Sequence, residues 1–122
     1  MAASRKPLLW IGSSLRDMRE LPADVQDVFG RAFLDAQYGD HPVGARPFGE
    51  GLSRSVMKLS DDHDGETYRA AYTVYPEVVY VLHVFHKKSR SGVATPKADK
   101  RRIELRFGSA LDHYSRNYLR SR

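Results

Sequence analysis

The spacing of apolar and polar positions changes several times along the chain, and each change marks an element. Pro7-Leu-Leu-Trp-Ile11 is an apolar run of strand length. Ser14, three residues before Asp17, is a helix-capping signal, with Leu15 and Met18 on one face behind it. Leu21-Pro-Ala-Asp24 restarts a helix with proline in its first turn. Val25, Val28, Phe29, Ala32, Phe33 and Ala36 then recur at helical spacing until Gly39. The two helices predict an antiparallel hairpin. Asp40 to Gly51 holds Pro42, Gly44, Pro47, Gly49 and Gly51 with no apolar period, and reads as a loop. Leu52 to Leu59, Thr67 to Tyr75 and Val78 to His86 are rich in β-branched and aromatic residues. Asp61-Asp-His-Asp-Gly65 and Pro76-Glu77 separate them, which predicts an antiparallel meander. Thr95-Pro96 is an N-cap and first-position pair for a last helix carrying Ile103, Phe107, Ala110, Leu111, Tyr114 and Tyr118. The fold class is α+β: an N-terminal strand and two-helix hairpin on an antiparallel sheet, with a C-terminal helix.

At 122 residues this is material for one domain, with residues 1–6 expected as a flexible N-terminal tail. The absence of cysteine excludes disulfides, thiolate metal sites and a cysteine nucleophile, and suits a reducing cytoplasm. The apolar run Leu8–Ile11 is too short for a signal-peptide core or a membrane span. Charge is unevenly placed. Residues 1–85 carry 9 Lys and Arg against 12 Asp and Glu, whereas residues 86–122 carry 11 against 3. A positive last third is the electrostatic footprint of a polyanion-binding protein, nucleic acid being the commonest partner.

Candidate chemistry narrows from there. On a strand, His83 and His86 point to opposite faces, so they do not share a metal, and no metal or cofactor is expected. Asp61-Asp-His-Asp-Gly65 resembles the start of a calcium loop, but the glutamate needed at its twelfth position falls at Tyr72. Phosphate-loop and nucleophile-elbow motifs are missing. What remains is a basic, hydroxyl-bearing set on the meander: Lys58, Arg69, Tyr72, His83, His86, Lys87 and Lys88. Strand alternation groups Thr67, Arg69, Ala71 and Thr73 on one face, apart from Tyr68, Ala70, Tyr72 and Val74. Clustered cations fit a phosphate, and metal-free RNA cleavage needs a base for the 2′-hydroxyl, cations for the pentacoordinate phosphate and an acid for the leaving oxygen. Two ordinary readings stand beside this: Tyr72 and Phe85 as core aromatics, and His83 as a buried, hydrogen-bonded histidine. Lys97, Lys100, Arg101, Arg102 and Arg106 read as a solvated face or a general RNA contact.

Four strings carry a family resemblance: Pro7-Leu-Leu-Trp-Ile-Gly-Ser-Ser-Leu-Arg-Asp17, Gly65-Glu-Thr-Tyr-Arg-Ala-Ala-Tyr-Thr-Val74, Val79-Tyr-Val-Leu-His-Val-Phe-His-Lys-Lys-Ser89 and Thr95-Pro-Lys-Ala-Asp99. Together, from about Pro7 to Phe107, the chain resembles the phage-derived, HigB-type branch of the RelE/ParE toxin superfamily. The resemblance implies a RelE-like fold and a type II toxin that cuts messenger RNA on the ribosome without metal. It implies a cognate helix-turn-helix antitoxin, with operator DNA reached only through that antitoxin. It makes Arg69 the phosphate-stabilising arginine, with Lys58, Lys87 and His83 as further catalytic candidates. Tyr72, His86, Lys88 and Arg90 are the expected substrate contacts. The chain departs from RelE after Lys88, where Ser-Arg-Ser-Gly-Val replaces the base-stacking tyrosine. The alternatives are a ParE-like, non-enzymatic gyrase inhibitor and a catalytically inactive RNA-binding relative.

Overall fold

The computed structural model describes residues 4–87 and 94–119. Five strands form one sheet in the order β1-β5-β4-β3-β2: β1 (Leu8–Trp10), β2 (Arg46–Pro47), β3 (Met57–His63), β4 (Glu66–Val74) and β5 (Val79–Lys87). Helices α1 (Ser14–Arg19) and α2 (Ala23–Gln37) follow β1, and α3 (Lys97–Tyr114) continues into a wider π-type turn over Ser115–Leu119.

The apolar stripe of α2 builds the first core. Val25, Phe29, Phe33 and Ala36 pack on Leu59, Ala70, Tyr72, Val79, Val81 and Val84 from one face of the sheet. On the other face Ile103, Ala110 and Tyr114 of α3 cover Ala71, Tyr80, Leu82 and Phe85, with Phe48 and Val56 closing the edge. β1 alternates between the two: Leu8 and Trp10 join the α2 side, Leu9 and Ile11 the α3 side.

Several expectations are revised. The sheet is mixed, because β1 pairs parallel to β5, with Leu8 opposite Val79 and Trp10 opposite Val81. Arg46–Pro47, read as loop, pairs antiparallel with Lys58 and Met57, a short edge strand that tolerates proline. β3 begins at Met57 and runs through the acidic residues to His63, so the hairpin turn is only Asp64-Gly65. Both turn residues have positive φ, 51° and 78°, the two-residue geometry for which Asp-Gly is suited. α1 has only six residues and packs chiefly on β5. Its N-cap is Ser13, whose hydroxyl donates to the Asp17 carboxylate at 2.8 Å, while the Ser14 hydroxyl is buried against the Val81 carbonyl. Pro96 holds the N-cap position of α3, and Thr95 is released for other bonds. Leu111 is exposed. Lys6, placed in the expected tail, exchanges two hydrogen bonds with Gln37, at 2.9 and 2.8 Å.

One irregularity controls the site. Ala71 pairs with His83 but Tyr72 pairs with Val81, so Leu82 is an extra residue in β5. This bulge turns Leu82 and His83 to the α3 side together, and strict alternation resumes from His83 onward.

Candidate active site

On the α3 side the register lays three short rows across β3, β4 and β5. Lys58, Ala71 and His83 form one, Ser60, Arg69 and Phe85 the next, and Asp62, Thr67 and Lys87 the last. Lys58, Arg69 and Lys87 therefore share one face on three adjacent strands, each one row further along than the last, so that neighbouring cations are diagonal pairs with backbones roughly 7–8 Å apart. They are 9%, 7% and 8% exposed, which is low for cations.

β2 adds Arg46 directly opposite Lys58, and the Lys58 ammonium lies 5.3 Å from the centre of the Phe48 ring. Burial, followed by the charges of Arg69 and Arg46, holds the Lys58 ammonium below the ordinary lysine range. Burial also lowers Arg69, partly offset by Glu50, yet a guanidinium remains charged. An amine with a depressed pKa beside a permanent cation pairs a proton acceptor with an electrostatic stabiliser.

The expected residues separate. Tyr72 lies on the opposite face, 1% exposed, its ring 5.9 Å from Phe33 and its hydroxyl pushed up to about 12 by burial. It is a core residue and offers neither a substrate contact nor a proton near neutrality. His86 also faces away from Arg69, beside Tyr68 at 5.1 Å and with Nε2 3.3 Å from a Glu66 oxygen. His83 is on the cation face but only 3% exposed. Its Nε2 meets Asp99 at 2.8 Å, its Nδ1 faces Arg106 at 3.4 Å, and its ring stacks on Phe85 at 4.7 Å. With both nitrogens engaged, it fastens α3 to β5. Arg106, expected in a solvated face, donates instead to the Leu82 carbonyl at 3.1 Å and to Ser13 at 3.0 Å. Lys88 and Arg90 lie outside the described residues.

Arg46, Phe48, Glu50 and Thr95 are the neighbours that sequence reasoning missed. Glu50 accepts from the Thr95 amide at 2.7 Å and from the Thr95 hydroxyl at 2.8 Å, and Arg69 Nη1 donates to the same hydroxyl at 3.4 Å. Burial raises the Glu50 carboxyl, but the two Thr95 bonds and the charges of Lys58 and Arg69 outweigh it and leave it below the usual range. Arg46 and Glu50 fall in the Pro- and Gly-rich stretch, whose lack of periodicity assigned them no face. A separate cleft of about 800 Å³ runs beside β5, with Asp17, Glu20, His83, His86, Asp99 and Arg102 in its walls.

The model of the phage-derived protein Gp49-like (DUF891) family matches residues 16–108, most of the chain and nearly all of its sheet. The chain belongs to this Gp49-like family. Its fold is that of RelE: an arginine-to-alanine double mutant of the Escherichia coli toxin RelE in the free state matches with a TM-score of 0.53 at 15% identity. That match covers 90% of this chain and 98% of the toxin. The RelBE2 toxin–antitoxin complex of Mycobacterium tuberculosis aligns with a TM-score of 0.47 at 23% identity, over 68% of the Gp49-like chain and 99% of the other. No curated protein sequence matches it. The family and the fold agree with the resemblance read from the sequence. Among the described residues, no helix of the Gp49-like chain is long and apolar enough to cross a membrane.

Proposed function

We propose that this protein is an endoribonuclease toxin that cuts messenger RNA in the ribosomal decoding site and so stops translation. The observation that carries the reading is the gathering of Lys58, Arg69 and Lys87 on one face of three adjacent strands. Lys58, in its neutral form, takes the 2′-hydroxyl proton. The 2′-oxygen then attacks phosphorus, and Arg69 stabilises the charge that builds on the phosphate. The bond to the 5′-oxygen breaks as Lys87 delivers a proton to it, leaving a 2′,3′-cyclic phosphate. A gyrase inhibitor would need no such cluster. The basic residues of α3, among them Lys97, Lys100 and Arg101, give the enzyme a general grip on phosphate backbones. The family resemblance supplies the setting: a cytoplasmic toxin, silenced by a helix-turn-helix antitoxin through which it reaches operator DNA.

Primer-extension mapping of a defined messenger RNA on programmed ribosomes tests this directly, comparing wild type, Arg69→Ala and a ribosome-free reaction. Cuts within codons that need the ribosome and are lost with Arg69→Ala are expected. A folded protein that makes no cuts overturns the reading and directs the work to a gyrase supercoiling assay.

A further inference from the structure

The Phe48 amide bonds to the Val56 carbonyl at 2.8 Å and closes a loop whose tip is Gly49-Glu50-Gly51. All three tip residues have positive φ, 76°, 56° and 84°. Two glycines adopt this conformation freely, whereas Glu50 does so against the steric preference of its Cβ. Residues held in such conformations cluster where the surrounding structure needs them. Here the gain is the pair of bonds from the Glu50 carboxylate to Thr95, immediately before α3. The loop also borders the first turn of α3, since a Cβ on Gly51 would lie 3.9 Å from the Lys100 ammonium.

The polarity of the contact is fixed by chemistry. A carboxylate only accepts and a guanidinium only donates. The Thr95 hydroxyl must therefore direct its proton to Glu50, leaving its lone pairs for Arg69 Nη1. Both Glu50 oxygens are occupied by Thr95, so Glu50 is poorly placed to take a proton from substrate. We propose that Glu50 is a positioning residue: through the Thr95 hydroxyl it holds Arg69 in place for the scissile phosphate, and it ties the start of α3 to the cation face. Its functional consequence rests on the endoribonuclease reading. The device carries a built-in opposition. The same carboxylate that orders Arg69 also repels the phosphate Arg69 is to bind.

That opposition gives a signature that simple loss of folding does not produce. In steady-state cleavage on programmed ribosomes, Glu50→Gln is expected to lower kcat about tenfold or more through misplacement of Arg69. KM should fall about threefold, because a repelling charge is gone. Thr95→Val, which keeps the charge but removes the hydroxyl, should lower kcat similarly and leave KM unchanged. Each variant is first shown to be folded by Trp10 fluorescence. Wild-type kcat in both variants overturns the proposal, as does a fall in kcat for Glu50→Gln with KM unmoved. A second readout needs no activity. In NMR spectra the Thr95 amide should shift on Glu50→Gln, and rotation of the Arg69 guanidinium should quicken in both variants. If the wild type cuts no RNA, the endoribonuclease reading falls, and these spectra still decide the link. An unmoved Thr95 amide and an equally restrained Arg69 refute it.

Discussion

Tyr72→Ala separates the two faces of the sheet. Tyr72 is 1% exposed, with its ring 5.9 Å from Phe33, which in turn sits 5.8 Å from Trp10. Removing a buried aromatic side chain takes away on the order of 150 Å² of apolar contact, about 4 kcal/mol at about 25 cal/mol per Å². That agrees with the roughly 3–5 kcal/mol found for aromatic-to-alanine changes in cores. With a urea slope of about 2 kcal/mol per molar for a domain of this size, the midpoint should fall by about 2 M. Trp10 is the sole tryptophan and belongs to the same aromatic cluster, so its fluorescence reports the transition. Tyr72→Phe, which keeps the ring, should cut RNA within about twofold of wild type. A midpoint shift below about 0.5 M at unchanged slope refutes the core assignment. So does a stable Tyr72→Phe variant that has lost cleavage.

Other perturbations test the connections between elements. Gly12 has a φ of 58° and an added Cβ would come within 2.8 Å of Arg106 Nε, so Gly12→Ala should cost about 1–3 kcal/mol, read as a lower Tm. Arg106→Ala breaks bonds to Leu82 and Ser13 at once and should cost about 3 kcal/mol by chemical denaturation; a loss under 1 kcal/mol refutes the linking role. The folded Glu50 carboxyl lies below its usual 4.5, so it adds stability above that pH which is lost as pH falls through the depressed value. Glu50→Gln should flatten that acid limb. Lys58 is held below its usual 10.5, so the unfolded chain binds the proton more strongly and stability rises as pH climbs from the depressed value towards 10.5; Lys58→Met should remove that slope.

Elements whose signals are local were legible in the chain. The stripe from Val25 to Ala36 and the aromatic, β-branched runs of β4 and β5 announce themselves through their own spacing. Alternation also placed Arg69 and Tyr72 on opposite faces. What stayed hidden depends on distant partners. Arg46 and Pro47 form a strand only because Lys58 and Met57 offer an edge. β1 runs parallel to β5 because of how the chain crosses the sheet, which three apolar residues cannot encode. The Leu82 bulge has no glycine or proline to mark it, though it decides where His83 points. Thr95 looked like a helix cap since its local sequence fits one, but Glu50, 45 residues earlier, claims its hydroxyl. The cation cluster was therefore readable as a set of residues, whereas its acidic organiser was not.

Housing Lys58 and Arg69 out of water has a consequence for how the gene can decay. Lys58 loses hydration and faces Arg69, Arg46 and Lys87 with Glu50 in opposition, so exchanging it for an apolar side chain of similar size relieves repulsion in the fold while removing the amine that the proposed cleavage needs. Damage on the α2 side works the other way, and losing the Tyr72 or Phe33 ring costs the fold about 4 kcal/mol. Loss of a cationic side chain and loss of folding are thus separate mutational routes on opposite faces of one sheet.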